Sequence, residues 1–499
     1  MVTLAAFGLA ALGCRGGSEA GPEPAPRPTG PPTTSTQATP APTVPTPVTP
    51  APAGAVPVSP DEVLAEVVSR HPAGATFLLR AGVHRLASVE PRDNDAFVGE
   101  EGAVLSGARV VTGFRRSNAI WVADGLVERS QPHGECATKS SRCSYNEDVY
   151  LDGELLTAVS ARTAVRKGAK TAFIDYTAKR LYLGIDPTGR VVEVASAPFA
   201  FAGDARGVSV RGLAVERYAT PAQAGAIEVG ENGGEWRIED CVVRQNHGGG
   251  VVLRNGSSLR RCQVLDNGQI GVKAQGAGNV VEGNEIARNN TAGFDAGWEA
   301  GGTKFARTVD LVVRGNDVHS NVGTGLWTDI DNVRTLYEDN HVHDNAGMGI
   351  FHEISYDAVI RNNRIERNGA DNAGWVWGAG IQIASSAGVE VIGNELRGNH
   401  NGIVGTEQRR GQGELGPWTL RDLVVRDNVI VDSGTSGVAQ DIGDRGVYSR
   451  GIAFSANRYE GRVSFTWLDQ KLDWSGWIKH GLDAEGRFLL APSTTPTTR

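Results

Sequence analysis

The segments NDVHSNVGTGL (316–326) and NHVHDNAGMGI (340–350) are two copies of one phrase. It consists of Asn, any residue, an aliphatic residue, two residues, Asn, three residues, Gly and an aliphatic residue. Copies, some degraded, begin 21 to 34 residues apart at Cys241, Cys262, Asn284, Asn316, Asn340, Asn363, Asn394, Asn428 and Asn457. A basic unit of 21 to 24 residues is typical of a solenoid, whose units bury their apolar faces by stacking. The short aliphatic runs, split by Asn and Gly, leave no room for a helix in each unit. The sequence therefore predicts an all-β solenoid with three short strands per coil, which is a parallel β-helix.

The recurrent Asn residues have a structural explanation. Equivalent residues of stacked coils lie about 4.8 Å apart, so a buried column of Asn side chains can pass hydrogen bonds from coil to coil. Asn also tolerates the left-handed backbone of a sharp corner. We therefore interpret these Asn residues as architecture that leaves the function open.

The repeat resembles that of the right-handed parallel β-helix proteins of the pectate-lyase-like superfamily, which includes polysaccharide lyases, polygalacturonase-type hydrolases and uronan epimerases. The opening PAGATFLLRAGVHRL (72–86) and FVGEEGAVLSGA (97–108) look like the first coils of such proteins, after a short capping helix near 60–70. The Gly-His-Gly and Arg-Ile-Lys segments expected of a polygalacturonase are absent from the sequence. The resemblance therefore implies a right-handed β-helix and a carbohydrate-active protein, but transfers no catalytic residue.

Composition narrows the class of protein. The chain has 499 residues, 65 of them Gly, with 6% aromatic residues and a formal net charge of -8. A mildly acidic chain without a basic cluster does not favour nucleic acid as a partner. We expect a monomer that binds a polysaccharide.

The N-terminal residues predict export. Residues 1–14 form a short apolar run in which Ala11-Leu12-Gly13-Cys14 resembles a bacterial lipoprotein processing site, with Cys14 as the acylated residue. Residues 15–57 are rich in Pro and Thr and are expected to form a disordered tether. This layout predicts a domain that is lipid-anchored to a bacterial membrane, with the outer membrane or cell surface favoured, or secreted.

The remaining chain divides into four predicted segments. Residues 58–114 form an N-terminal cap with the first coils, 115–200 a small all-β insertion, 201–460 the main β-helix, and 461–499 a C-terminal cap and tail. Cys136 and Cys143 are predicted to form a local disulfide, because no metal-binding pattern surrounds them and export permits it. Cys241 and Cys262 lead consecutive coils and are interpreted as a buried thiol pair that continues the Asn column.

Three coils carry long insertions, and long loops on a rigid stack are where binding groups are usually placed. The insertion after Gly293 contains Trp298, Glu299 and Lys304, the one in the coil at 363 contains Trp375 and Trp377, and the one after Gly402 contains Arg409. These aromatic and charged residues are the predicted substrate-binding groups, with Lys304 as a candidate catalytic base.

Acidic residues stack between these insertions. Alignment on Gly325 and Gly349 places Asp329 beside Glu353, and strand alternation turns Trp327, Asp329 and Asp331 outward. Two adjacent carboxylates repel each other, so the pattern indicates a shared proton or a cation, with Ca²⁺ and ligands Asp329, Asp331 and Glu353 as one alternative. On this argument Asp329→Asn should hold or raise stability while it weakens function.

Several functions remain open for this group. In a lyase, Lys304 would be the base, with His352 behind it, although alternation points His352 inward. In a hydrolase, Asp329 and Glu353 would act as acid and base. A non-catalytic glycan-binding or adhesion protein and a purely structural solenoid are the alternatives. His319 and His343 also stack, but the pattern supplies no third ligand, so they are interpreted as surface histidines.

Overall fold

A computed structural model describes residues 52–125, 130–140, 142–371 and 374–489. They form a parallel β-helix in which a typical coil contributes one short strand to each of three sheets. The predicted all-β class and the three strands per coil are confirmed. Cys14 and most of the predicted tether lie outside the described residues. None of the described helices is long and apolar enough to cross a lipid bilayer.

The three sheets are named by their order after the leading Asn of a coil. Sheet 1 follows the leading Asn and comprises Gly82–Arg85, Ala103–Ser106, Ala214–Glu216, Val242–Arg244, Gln263–Leu265, Glu285–Ala287, Asp317–His319, His341–His343, Arg364–Glu366, Glu395–Arg397, Val429–Val431, Arg458–Glu460 and Arg487–Leu489. Sheet 2 comprises Phe201–Gly203, Gly225–Val229, Gly249–Arg254, Ile270–Ala277, Gly301–Val309, Leu326–Asp329, Ile350–Glu353, Ala379–Ala384, Asn401–Glu407, Thr435–Gln440, Ser464–Trp467 and Gln470–Leu472. Sheet 3 comprises Val56–Val58, Thr76–Leu79, Ala96–Gly99, Ser209–Arg211, Arg237–Glu239, Ser258–Arg260, Val280–Glu282, Val312–Arg314, Val333–Glu338, Tyr356–Arg361, Ala387–Ile392, Arg421–Arg426 and Ala453–Ser455.

The core is a narrow aliphatic column. Val318, Val342 and Ile365 are register partners in successive strands of sheet 1, and all three are fully buried. Because parallel strands in register stack like residues on like, each coil buries its apolar face against the next.

Buried Asn columns run beside this core, as predicted. The Asn340 side-chain amide donates to Asn363 Oδ1 at 2.9 Å and to the Val313 carbonyl at 2.9 Å. Its own Oδ1 accepts from the backbone N–H of Asn316 at 3.0 Å and from the side-chain amide of Asn316 at 2.9 Å. The second Asn of the phrase forms a parallel column, in which Asn345 bonds Asn368 in the same way. Each buried amide is satisfied by its copy in the next coil.

The Gly of the phrase is required by the second Asn column. A side chain at Gly325 would place a Cβ 2.8 Å from the Gly349 carbonyl oxygen and 2.9 Å from the side-chain nitrogen of Asn345. The backbone of sheet 2 therefore approaches this Asn column too closely for any larger residue.

The all-β insertion occupies Ala108–Ala195, slightly earlier than the range 115–200. Its strands are Ala108–Val111, Arg115–Ser117, Ile120–Asp124, Val149–Leu151, Glu154–Leu155, Thr157–Ala158, Thr171–Asp175, Arg180–Leu183 and Val192–Ala195, with a short 3₁₀ helix at Arg162–Ala164. They form two small sheets around a separate core. His247 attaches the insertion to the coils, since its ring lies 2.7 Å from the Cys143 carbonyl and 3.0 Å from Asp148.

The described ends of the β-helix are capped. Helix Leu64–Ser69 covers the first coils, close to the predicted position. At the other end, helix Trp474–Lys479 buries Trp477 completely, and Asp483 accepts from Asn457 at 3.0 Å as the last member of the Asn column. A helical turn at Ala296–Glu299, a 3₁₀ helix at Arg445–Ser449 and the hairpin Gln412–Gly413/Gly416–Pro417 lie in the long connections. The folded domain begins before residue 57, since strand Val56–Val58 pairs with Thr76–Leu79.

Candidate active site

The outward face of sheet 2 carries a column of unlike polar side chains. Phe305 is the register partner of Thr328, which places Lys304 beside Trp327, and Asp329 is the register partner of Glu353. Alternation turns Lys304, Trp327 and Asp329 to the same face, whereas Leu326 and Thr328 point into the core. The structure thus brings the two predicted carboxylates and the predicted lysine together.

Only one of the two carboxylate oxygens of Asp329 has a hydrogen-bond partner among the described residues. Its Oδ2 accepts from Lys304 Nζ at 2.5 Å, and both side chains are largely buried. Its Oδ1 is shielded from solvent and has no hydrogen-bond partner among the described residues. A carboxylate oxygen left unpaired in a buried position is costly unless a ligand or a reaction uses it.

Lys304 has two partners for its side-chain nitrogen. Besides Asp329, its Nζ contacts the face of Trp327, 3.2 Å from the ring centroid. A catalytic base must present a lone pair to the substrate, and here Asp329 and Trp327 occupy the nitrogen instead. The geometry therefore does not support Lys304 as the base of a lyase, and instead makes it the positioning partner of Asp329.

Glu353 has a different environment from that of its stacked partner. Its Oε1 pairs with Arg410, and its Oε2 accepts from Trp327 Nε1 at 3.2 Å. Burial and the neighbouring Asp329 carboxylate raise the pKa of Glu353, and the charges of Arg410 and Lys304 offset this only in part. A carboxyl group with a raised pKa can serve as a general acid near neutral pH.

A second group of charges continues the column toward the N-terminus. Glu299 pairs with Lys273 at 2.7 Å and also accepts from Gln223. Burial alone would raise the pKa of Glu299, but the charges of Lys273 and Lys304, together with hydrogen bonds from Lys273 and Gln223, lower it. Further along, burial raises the pKa of Glu228 to about 7. Carboxyl groups in unlike environments thus line one face over several coils.

Two predicted site residues lie elsewhere. His352 points into the core, where its Nδ1 lies 2.7 Å from Thr328 Oγ1, and burial lowers its pKa to about 3. It is therefore a neutral core histidine and not a catalytic group. Positive φ at Ile330 and at Asp331 itself ends the alternation at Asp329, and Asp331 turns to accept from Trp418 Nε1 at 3.1 Å. The outward orientation predicted for Asp331 from strand alternation was wrong because the strand ends at Asp329.

The predicted aromatic residues divide into three roles. Trp327 is buried and contacts Lys304, Glu353 and Phe351. Its ring centroid lies 5.7 Å from that of Phe351. Trp377 packs edge-on against Phe351, whereas the ring of Trp375 is 40% exposed and lies 5.9 Å from Lys471 Nζ. Trp298 instead stacks on Phe294 near the insertion, so it packs the loop itself.

Some functional side chains were missed by the sequence interpretation. Arg409 is exposed, and the neighbouring Arg410 is the one that reaches Glu353. Lys273 stands in register with Lys304. The sequence contained an indication of Lys273, because G-V-K at 271–273 repeats G-T-K at 302–304. Arg410 had no comparable signal, since a loop conformation selects between adjacent arginines.

The carboxylate pair does not fit calcium. Ca²⁺ takes six to eight oxygen ligands, and here Lys304 and Arg410 already contact the two carboxylates. An ion would have to displace both cations, and Asp331 is bound to Trp418. The cation inferred from the stacked acids is therefore supplied by the side chains of Lys304 and Arg410.

The cysteines follow their predicted states. Cys136 and Cys143 form a disulfide, and Cys241 and Cys262 are free and buried. The backbone N–H of Cys262 donates to Asn284 Oδ1 at 2.9 Å, so the thiols continue the Asn column.

Two cavities lie away from this site. One, of about 20 Å³, lies in the insertion and the other, of about 190 Å³, lies between the insertion and the coils, and neither is lined by Asp329 or Glu353.

Comparisons with known proteins agree with this architecture. The family model "Right handed beta helix region" matches residues 225–396. A structure described as the complex of XylC with xylose is 14% identical, with 87% of this chain and 83% of that chain covered and a TM-score of 0.65. The A-module of the mannuronan C-5 epimerase AlgE4 from Azotobacter vinelandii is 12% identical, with 87% and 94% covered and a TM-score of 0.46. No curated protein matches the chain by sequence. The fold of the chain is therefore a right-handed parallel β-helix.

Proposed function

We propose that the protein is a carbohydrate-active enzyme, specifically a glycoside hydrolase that retains anomeric configuration. The observation that carries the proposal is the Asp329/Glu353 pair, two carboxyl groups on adjacent coils in unlike environments. Glycosidases use such a pair, in which one group is ionised and the other has a raised pKa.

The spacing of the pair favours retention. Register partners on neighbouring parallel strands lie about 4.8 Å apart. Retaining enzymes hold their carboxyl groups about 5 to 5.5 Å apart, whereas inverting enzymes need about 6.5 to 9.5 Å to admit a water molecule.

The roles of the two groups follow from their contacts. Asp329 Oδ1 is unpaired and attacks the anomeric carbon, while Glu353 donates its proton to the leaving oxygen as the glycosidic C–O bond breaks. In the second step, the Glu353 carboxylate takes a proton from water, which attacks the anomeric carbon and releases Asp329. Lys304 orients Asp329, and Trp327 and Arg410 orient Glu353.

The first substrates to test are xylosides. The similar structure with a TM-score of 0.65 was determined with xylose, and the exposed ring of Trp375 suits a pyranose face. The Cys136–Cys143 disulfide supports an exported setting, where such glycans are encountered.

The test uses a panel of p-nitrophenyl glycosides and oligosaccharides. We expect Asp329→Asn to lower kcat/KM on both kinds of substrate, and Glu353→Gln to lower it on the oligosaccharides, by about 10²- to 10⁴-fold. Glu390→Gln, which replaces an exposed acid on sheet 3, should leave it unchanged. A 2-deoxy-2-fluoro glycoside should label Asp329, as read by peptide mass spectrometry. Unimpaired turnover of the oligosaccharides by Glu353→Gln would sink the assignment, and ultraviolet absorbance from an unsaturated uronate would indicate a lyase instead.

The pH profile of the same reaction gives a second readout. Because the general acid must be protonated, kcat/KM should fall as pH rises through the raised pKa of Glu353. With a nitrophenol leaving group, which needs little protonation, Glu353→Gln should lose this alkaline limb. An unchanged alkaline limb in the variant would assign the acid to another residue.

A further inference from the structure

A cluster of three histidines and one aspartate lies on sheet 1, on a different face from the carboxylate pair. Strand Asp317–His319 reads D-V-H and the next strand, His341–His343, reads H-V-H. Alternation places the outer two residues of each strand on the same side, and the register pairs Asp317 with His341 and His319 with His343. Four potential ligands therefore meet at the corners of one small patch.

The side chains converge and do not splay apart. The rings of His319 and His343 are stacked with centroids 4.8 Å apart, and those of His341 and His343 are 4.1 Å apart. One ligand atom from each of Asp317, His319 and His343 lies within 4.8 Å of the others. Tetrahedral Zn²⁺, bound at about 2.0 to 2.2 Å, needs ligand atoms about 3.4 Å apart, which modest side-chain rotations can reach.

His343 lies between two carboxylates. Its Nδ1 lies 2.7 Å from Asp344 Oδ2, and its Nε2 lies 3.1 Å from Asp317 Oδ1. In many zinc sites a carboxylate orients a histidine through one ring nitrogen while the other nitrogen binds the metal. Asp344 is placed to orient His343 in this way, with Nε2 facing the Asp317 carboxylate.

We propose that Asp317, His319 and His343 bind a divalent transition-metal cation such as Zn²⁺, which links two adjacent coils. Two imidazole nitrogens and one carboxylate are a donor set that zinc accepts, with a further position for His341 or water. His341 Nδ1 lies 3.3 Å from the same Asp317 oxygen. Glu285, 3.4 Å from His319 Nε2, adds negative charge beside the ion. The ion stabilises the stack and takes no part in the chemistry at Asp329.

The test is metal binding by the full chain, purified without a polyhistidine tag and stripped with chelator. Isothermal titration with ZnCl₂ should give one site, and Co²⁺ should give the visible absorption bands of a low-symmetry nitrogen and oxygen site. His319→Ala and His343→Ala should each weaken Zn²⁺ binding at least tenfold, whereas His480→Ala, an exposed histidine of the C-terminal cap, should not change it. Zn²⁺ should raise the Tm of the wild-type chain and not of the variants.

Each result decides the proposal. No Zn²⁺ binding by the stripped chain, or binding that survives both His319→Ala and His343→Ala, overturns it. Because the variants replace partly exposed residues, circular dichroism and the Tm without metal will show that they fold. Glycoside turnover is a separate readout, so failure here leaves the assignment of Asp329 and Glu353 intact.

Discussion

Asn340 and Asp329 both stack on a residue of the next coil, but they satisfy their polar atoms in opposite ways. Asn340 bonds identical neighbours above and below, because an amide is both donor and acceptor. Asp329 stacks on Glu353, another acceptor, and needs Lys304 from the preceding coil as a counter-charge. The repeat thus builds its own Asn columns, whereas the carboxylate stack depends on cations from other coils. Stacked identical residues form the Asn columns, whereas the candidate site consists of stacked residues of different types.

The largest expected effect on stability breaks the Asn column. Asn340→Ala leaves the backbone and side-chain N–H groups of Asn316 without their acceptor and removes a donor from Asn363. Each unsatisfied buried group costs about 1 to 3 kcal/mol, so we expect the free energy of unfolding to fall by about 3 to 5 kcal/mol in urea denaturation. Lys170→Ala, which removes an exposed ion pair with Glu154, should cost under about 1 kcal/mol. Similar losses in both variants would show that the column is not structural.

A smaller effect tests the carboxylate stack. Repulsion alone predicts that Asp329→Asn holds or raises stability, but the structure reverses this sign, because the variant leaves buried Lys304 without its counter-charge. We expect a loss of about 2 to 3 kcal/mol, partly restored in the double variant with Lys304→Met. A double-mutant cycle by urea denaturation measures the coupling. If the stability of Asp329→Asn were unchanged or raised, repulsion between the two carboxylates would outweigh the contact of Asp329 with Lys304.

The smallest effect concerns Glu228, at the far end of the column. Burial raises its folded pKa from 4.5 to about 7, so the folded state holds this proton more tightly than the unfolded state. The resulting stability is fully present below pH 4.5 and is lost as pH rises through 7. Glu228→Gln removes this dependence, so relative to wild type its stability should rise as pH increases from 4.5 to about 8. Parallel pH profiles of unfolding would contradict the raised pKa.

Local pattern predicted much of the site because it lies on strands. Register and alternation follow from a repeat of fixed length, so the pairing of Asp329 with Glu353 and the outward face of Trp327 were readable from Gly325 and Gly349. The same rule failed at Asp331, where positive φ at Ile330 and Asp331 ends the strand. It also overlooked Asp317, which lies on the same short strand as His319 and offers an atom within 4.8 Å of both His319 and His343.

The sequence by itself determined the β-helix, its Asn columns and the coils that carry the carboxylates, because stacking in register converts a linear repeat directly into spatial neighbours. Only the tertiary structure decided which cation meets which acid. Lys304 pairs with Asp329 across adjacent coils, and Arg410, but not Arg409, reaches Glu353 from a loop. Loop conformations are set by packing against distant coils, not by the local pattern, so the charges that set the protonation of Glu353 could not be assigned from the residues alone.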